Sequence, residues 1–198
     1  MIPLRDDNPT SITPVLTVGL IAACVLAFFW QLSFGAQQER VVFALGVIPA
    51  VLFGHAQLPE GIDNVERAMG HLRFIVFYVV CGLAAAFAQA LPDPQSTIPM
   101  IGASGAISGV LGAYLLLYPH ARVLVAIPFG FYLHTMSLKA GWVLGFWFLM
   151  QLVSSVLAAG QQGGVAFGAH IGGFVAGLLL VPLFKRRGVP LFHPGRFG

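Results

Sequence analysis

Charge is scarce in this chain. Of its 198 residues only 9% are Asp, Glu, Lys or Arg, while 58% are hydrophobic; a soluble domain carries about 25% charged residues. So little charge excludes an ordinary water-exposed surface. With a mean hydropathy of +0.87 the chain reads as a polytopic membrane protein in contact with a lipid bilayer. The basic residues are too dispersed for nucleic acid: Arg67, Arg73, Arg122, Lys139 and Lys185-Arg186-Arg187 flank apolar segments instead of forming a dense face with interleaved aromatics. Cysteine is nearly absent. Cys24 and Cys81 both lie inside apolar runs, which excludes a disulfide framework and leaves small apolar packing as their role. His55, His120 and His134 share no ligand-like spacing with Cys or Asp, so no metal is expected. No strongly basic stretch precedes the first apolar run, only Arg5, Asp6 and Asp7. That run is too long for a signal-peptide core and reads as a retained span.

A span needs about 20 apolar residues. Five segments approach this: Ile12–Phe34, Leu72–Leu91, Ile98–Tyr118, Ala140–Ala159 and Val165–Phe184. Most end at stop signals, among them Pro92-Asp93-Pro94, Pro119, the Gly160–Gly164 stretch and Lys185-Arg186-Arg187. The expected fold is therefore all-α, one membrane domain over residues 1–198 with about five transmembrane helices. Val41–Phe53, interrupted by Gly46 and Pro49, would reach only about 20 Å as a helix and reads as interfacial or re-entrant. Val123–Leu133, broken by Pro128 and Gly130, reads the same way, or as an extension of a neighbouring helix. Trp142, Phe146 and Trp147 suit interfacial or lipid-facing positions.

Two polar residues stand out in these runs. Ser104 sits among glycines in Gly102-Ala103-Ser104-Gly105, and His170 lies in the last apolar segment. At bilayer depth a hydroxyl and an imidazole both need partners that lipid does not supply. A serine bonded to a histidine is also the minimal activated nucleophile of acyl transfer. Gly105, Gly109 and Gly112 follow Ser104 along one helix face, and Gly173 and Gly177 follow His170. Such spacing lets helix backbones approach closely, which would bring the two side chains together. A small transporter or channel is the weaker alternative, since no internal repeat is visible.

With Ile101-Gly-Ala-Ser-Gly-Ala-Ile-Ser-Gly on one segment, Gly168-Ala-His-Ile-Gly-Gly-Phe-Val-Ala-Gly on the last, and Asp63-Asn-Val-Glu-Arg-Ala-Met-Gly-His-Leu-Arg-Phe between, the chain resembles the rhomboid family of intramembrane serine proteases. The resemblance implies Ser104 as nucleophile, His170 as general base, and the Gly102–Gly105 motif at the oxyanion. It also implies transmembrane proteins as substrates, no metal or cofactor, and residence in a bacterial cytoplasmic membrane.

The chain departs from that family pattern in three ways. Bacterial members carry a long loop and a helix with a His-x-x-x-Asn element, whose side chains help hold the oxyanion. Here Gly54–Gly61 runs almost directly into Ile62-Asp63-Asn64, and the element occurs nowhere. Oxyanion donors are each worth about 10²–10³ in rate. His55 and Asn64 are the nearby polar stand-ins. The alternative function is thus an impaired, rhomboid-like protein that binds transmembrane helices without cleaving them. Secondly, Ser108 occupies the place one turn after the serine where some members stack an aromatic on the histidine. Finally, the basic residues favour one cytoplasmic side, and the deletion leaves little chain to return there after the first helix. That helix is expected to invert or to be poorly anchored, with Met1 outside.

Overall fold

The computed structural model describes residues 2–6, 15–32, 62–92, 94, 100, 102–129, 132–158 and 165–193. The helices are α1 (Val15–Leu32), α2 (Ile62–Met69), α3 (His71–Ala90), α4 (Ser104–Leu117), α5 (Ala140–Leu157) and α6 (Phe167–Phe184). The strands are β1 (Ile2–Asp6), β2 (Arg122–Phe129) and β3 (Tyr132–Lys139). The fold is an all-α membrane bundle with one small sheet attached. Among the described residues, three helices, α3, α5 and α6, are long and apolar enough to cross a membrane.

Residue type explains who faces whom. On α3 the buried residues are Phe74, Phe77, Cys81 and Ala85, one stripe at helical spacing. Ile75, Val76, Val79, Leu83 and Phe87 are exposed on its other faces and suit lipid. By contrast α4 is buried almost all round, from Gly105 and Ala106 through Tyr114 to Leu117. It is the central helix, packed against α3 on one side and α6 on the other. Its 14 residues reach about 21 Å, well short of the roughly 30 Å hydrocarbon core. A helix surrounded by protein tolerates that, because its exposed ends need not meet lipid. α4 begins at Ser104, since Gly102 just before it holds φ +127°, outside the helical region; Ile98, the expected start, lies outside the described residues.

One end of the bundle gathers the chain reversals. The Arg186 N–H donates to the Ala68 carbonyl at 2.8 Å, joining the end of α6 to α2. Past α6 the chain folds back, and the Phe192 and His193 amides donate to the Leu116 and Leu117 carbonyls at the end of α4. Gly70, at φ +84°, turns α2 into α3, and an added Cβ there would press on the Arg186 guanidinium. Arg67, Arg73, Arg122, Lys139 and, just past α6, Lys185–Arg187 all lie at this end.

Val123–Leu133, expected to be interfacial, re-entrant or an extension of a neighbouring helix, instead falls in two paired β-strands. β2 and β3 pair antiparallel from Arg122↔Lys139 to Phe129↔Tyr132, and β1 adds to β2 from Ile2↔Ala126 to Asp6↔Val123. Val123, Leu124, Val125 and Ile127 are strand formers. Pro128, which suggests a break in a helix, costs little here, because β1 pairing ends at Ala126 and a proline is tolerated where no second ladder claims its missing N–H.

The start of α1 is anchored, against the expectation that this helix is inverted or poorly anchored. β1 pairs at the basic end, and the α1 N-terminus is held there by Glu66 of α2. The Glu66 carboxylate, 2% exposed, accepts from the Thr17 N–H at 3.0 Å, the Thr17 hydroxyl at 2.6 Å and the Leu16 N–H at 3.4 Å. An anion at a helix N-terminus satisfies orphan amides and favours the helix dipole. β1, the start of α1 and the basic run after α6 therefore gather at one end of the bundle. The Val41–Phe53 stretch lies outside the described residues.

Burial alone would push the Glu66 carboxyl up. The hydrogen bonds from the Thr17 hydroxyl, His71 and the Thr17 and Leu16 amides outweigh it and hold the group below its ordinary value. A depressed carboxyl stabilises the fold above the ordinary carboxylate range and stops doing so as pH falls through the depressed value. Wild-type protein in detergent is expected to lose melting temperature on acidification from pH 6 to pH values of about 3–4. Glu66→Ala should be less stable at neutral pH by about 1–3 kcal/mol, the cost of buried donors left without partners. It should also show a flatter dependence on acidification. Thermal melts of both proteins across that range check this.

Candidate active site

Ser104 is the first residue of α4, and Gly102 at φ +127° delivers the chain to it in a conformation that suits glycine. Gly105, the next residue, lies against Ala85, more than one turn inside the far end of α3. The hydroxyl is thus at the end of the bundle away from the basic residues, below the tops of its neighbours.

His170 stands in the first turn of α6. Its Nε2 lies 2.9 Å from Ser104 Oγ, hydrogen-bond distance, across a sequence separation of 66. What allows this approach is the glycine seam. A Cβ on Gly173 would strike the carbonyl of Gly105, and one on Gly177 the carbonyl of Gly109. Conversely, a Cβ on Gly109 would meet the Gly173 carbonyl at 3.1 Å, and one on Gly112 would strike the Phe174 carbonyl. The two Gly-x-x-x-Gly pairs, Gly105/Gly109 and Gly173/Gly177, therefore interlock backbone to backbone. Both glycine sets picked from the sequence meet at one seam, and Gly109, Gly173 and Gly177 are its contacts.

Other polar groups fix the two partners. Gln89 of α3 accepts the Ala169 N–H through Oε1 at 3.0 Å, satisfying a first-turn amide of α6 beside the histidine. Ser108 is buried and donates its hydroxyl to the Ser104 carbonyl at 2.7 Å. The aromatic contact that Ser108 cannot make comes from elsewhere: the Trp147 ring lies 6.1 Å from the His170 ring, tilted by 35°, and the Phe167 ring meets it edge-on at 6.4 Å. Trp147 also packs on Phe174, so it faces inward. Trp142 and Phe146 are exposed, as lipid-facing residues are. The other ring nitrogen of His170, Nδ1, lies 2.8 Å from Gln151 Oε1 on α5.

A family model described as the Rhomboid domain matches residues 56–187. The chain belongs to the rhomboid family. No curated protein and no solved structure matches it. This rhomboid chain departs from the family pattern over the oxyanion side chains, and Asn64 does not fill their place. It is buried on α2, and its backbone carbonyl accepts from the Tyr118 hydroxyl at 3.5 Å, just past the opposite end of α4 from Ser104. The helix between spans about 21 Å. His55 lies outside the described residues. Close to Ser104 there remain the first-turn amides of α4, which have no partners within their own helix.

Sequence reasoning missed Gln151, Gln89 and Glu66. Each had a signal: a lone amide or carboxyl beside or within an apolar run needs a partner.

Proposed function

We propose that this rhomboid is an intramembrane serine endopeptidase that cleaves transmembrane segments of other membrane proteins, in a bacterial cytoplasmic membrane, by a Ser104–His170 dyad. The observation that carries the reading is the 2.9 Å contact between Ser104 Oγ and His170 Nε2. In this mechanism Nε2 takes the hydroxyl proton as Oγ attacks the scissile carbonyl carbon. The tetrahedral oxyanion is met by the Ser104 amide at the N-terminus of α4, where the helix dipole favours negative charge. His170 then gives the proton to the departing amine as the C–N bond breaks. Water, activated by the same nitrogen, releases the acyl group from Ser104. Neither metal nor cofactor enters the sequence of steps.

The missing His-x-x-x-Asn element favours a second reading, a protein that holds transmembrane helices without cutting them. A fluorophosphonate serine-hydrolase probe on detergent-purified protein separates the two. Labelling of wild type that disappears in Ser104→Ala and in His170→Ala is the expected result. Folded wild type that takes no label sinks the protease reading and leaves the binding one.

A further inference from the structure

A dyad leaves one ring nitrogen of the histidine unassigned. In this chain it is occupied. Gln151 Oε1 lies 2.8 Å from His170 Nδ1, and Gln151 is one turn after Trp147, whose ring lies tilted beside the imidazole at 6.1 Å. Residues four apart share a helix face, so α5 presents a ring and an amide together to His170. The groups facing the imidazole are Ser104 from α4, Gln151 and Trp147 from α5, and Phe167 from its own helix. All are uncharged, and within this set only the Gln151 carbonyl oxygen acts purely as an acceptor.

We infer that Gln151 is a positioning residue for the reaction: by accepting the Nδ1–H it holds His170 in the tautomer whose Nε2 lone pair faces Ser104 Oγ. The inference rests on the protease reading above. The chemistry needs that tautomer, because only a bare Nε2 can take the serine proton. A histidine partner of this kind sets both ring orientation and which nitrogen carries hydrogen. An amide does this without adding a buried negative charge, which a membrane-embedded site would tolerate poorly. When the imidazolium forms, the amide oxygen still accepts from Nδ1–H and its dipole is aimed at the new charge. It stabilises that charge less than a carboxylate would.

Two measurements on the full chain in detergent test this. Nitrogen-15 spectra of histidine-labelled protein, with His170→Ala to assign the signal, are expected to show His170 protonated at Nδ1 near neutral pH. In Gln151→Leu that preference should be lost. Cleavage of a model transmembrane substrate by Gln151→Leu should show kcat lowered about 10- to 100-fold, by analogy with the loss of outer partners of metal-ligating histidines, with KM little changed. Gln151→Glu keeps the acceptor and adds charge. It should retain the Nδ1–H tautomer and more of the wild-type kcat than Gln151→Leu does. A merely structural glutamine would not make the His170 tautomer follow the acceptor in this way. Wild-type kcat in folded Gln151→Leu overturns the positioning role, as does an unchanged His170 tautomer in that variant. If wild type shows no Ser104-dependent cleavage, the protease reading fails. The nitrogen spectra then still decide whether Gln151 sets the tautomer.

Discussion

Gly177→Val is expected to give a protein that does not keep its bundle in detergent, while Gly145→Ala at a similar depth should be harmless. The contrast is geometric. A Cβ on Gly177 would run into the backbone of Gly109: its carbonyl oxygen, its carbonyl carbon at 2.6 Å and its Cα at 2.8 Å. Backbone cannot rotate away as a side chain tip can, so α4 and α6 have to separate. Gly145 has nothing within 4 Å of an added Cβ. Overpacking of a close seam costs about 3 kcal/mol or more for a branched residue. Separation also lengthens the Ser104–His170 contact, and a hydrogen bond is lost beyond about 3.5 Å. Gly177→Ala is the informative intermediate. It should melt lower than wild type yet still fold, and fluorophosphonate labelling should fall more steeply than stability does. The readouts are melting temperature, monodispersity on a sizing column, and labelling per folded molecule. A Gly177→Val protein as stable and as reactive as Gly145→Ala would mean that the seam does not hold the site together.

The same seam explains how much was legible in the sequence. Two glycine pairs at four-residue spacing, one after Ser104 and one after His170, were enough to expect those residues to meet, because close backbone approach needs glycine on both helices at matching intervals. The apolar runs likewise marked α1 and α3 to α6, since a helix surrounded by lipid or by other apolar helices is written as an unbroken stretch. Elements whose cause lies in a distant partner were hidden. β2 reads as a broken helix until β1 and β3 pair with it and make Pro128 harmless. Trp147 looks like its exposed neighbours Trp142 and Phe146 until the α5–α6 packing turns it onto His170 and Phe174. The anchoring of α1 was not legible, because a carboxylate in α2 that caps the helix start carries no signature at the position it caps. Gln151 is a similar case. One amide in an apolar helix announces that a partner exists and says nothing about which.

Ser104→Ala, His170→Ala and the double substitution are expected to bring cleavage of a model transmembrane substrate to the same floor. The drop should be about 10⁴-fold or more where the assay has that range. The equality of the three matters more than the size. A nucleophile and its base act as one unit: without the hydroxyl there is no proton for Nε2 to take, and without Nε2 the hydroxyl at its ordinary acidity is a poor nucleophile. Losses therefore do not add. If His170 merely packed beside Ser104, its removal would leave a partial rate, and the double variant would fall further than either single one. Whatever remains above the uncatalysed rate belongs to the first-turn amides of α4 and to substrate binding. Here the missing side-chain donors should make that remainder small. His170→Ala also strands Gln151, whose amide oxygen loses its 2.8 Å partner, so its stability should fall more than that of Ser104→Ala. Melting curves taken beside the rates separate that structural cost from the chemical one. Three equal floors with Ser104→Ala at wild-type stability would locate the chemistry at the 2.9 Å contact between α4 and α6.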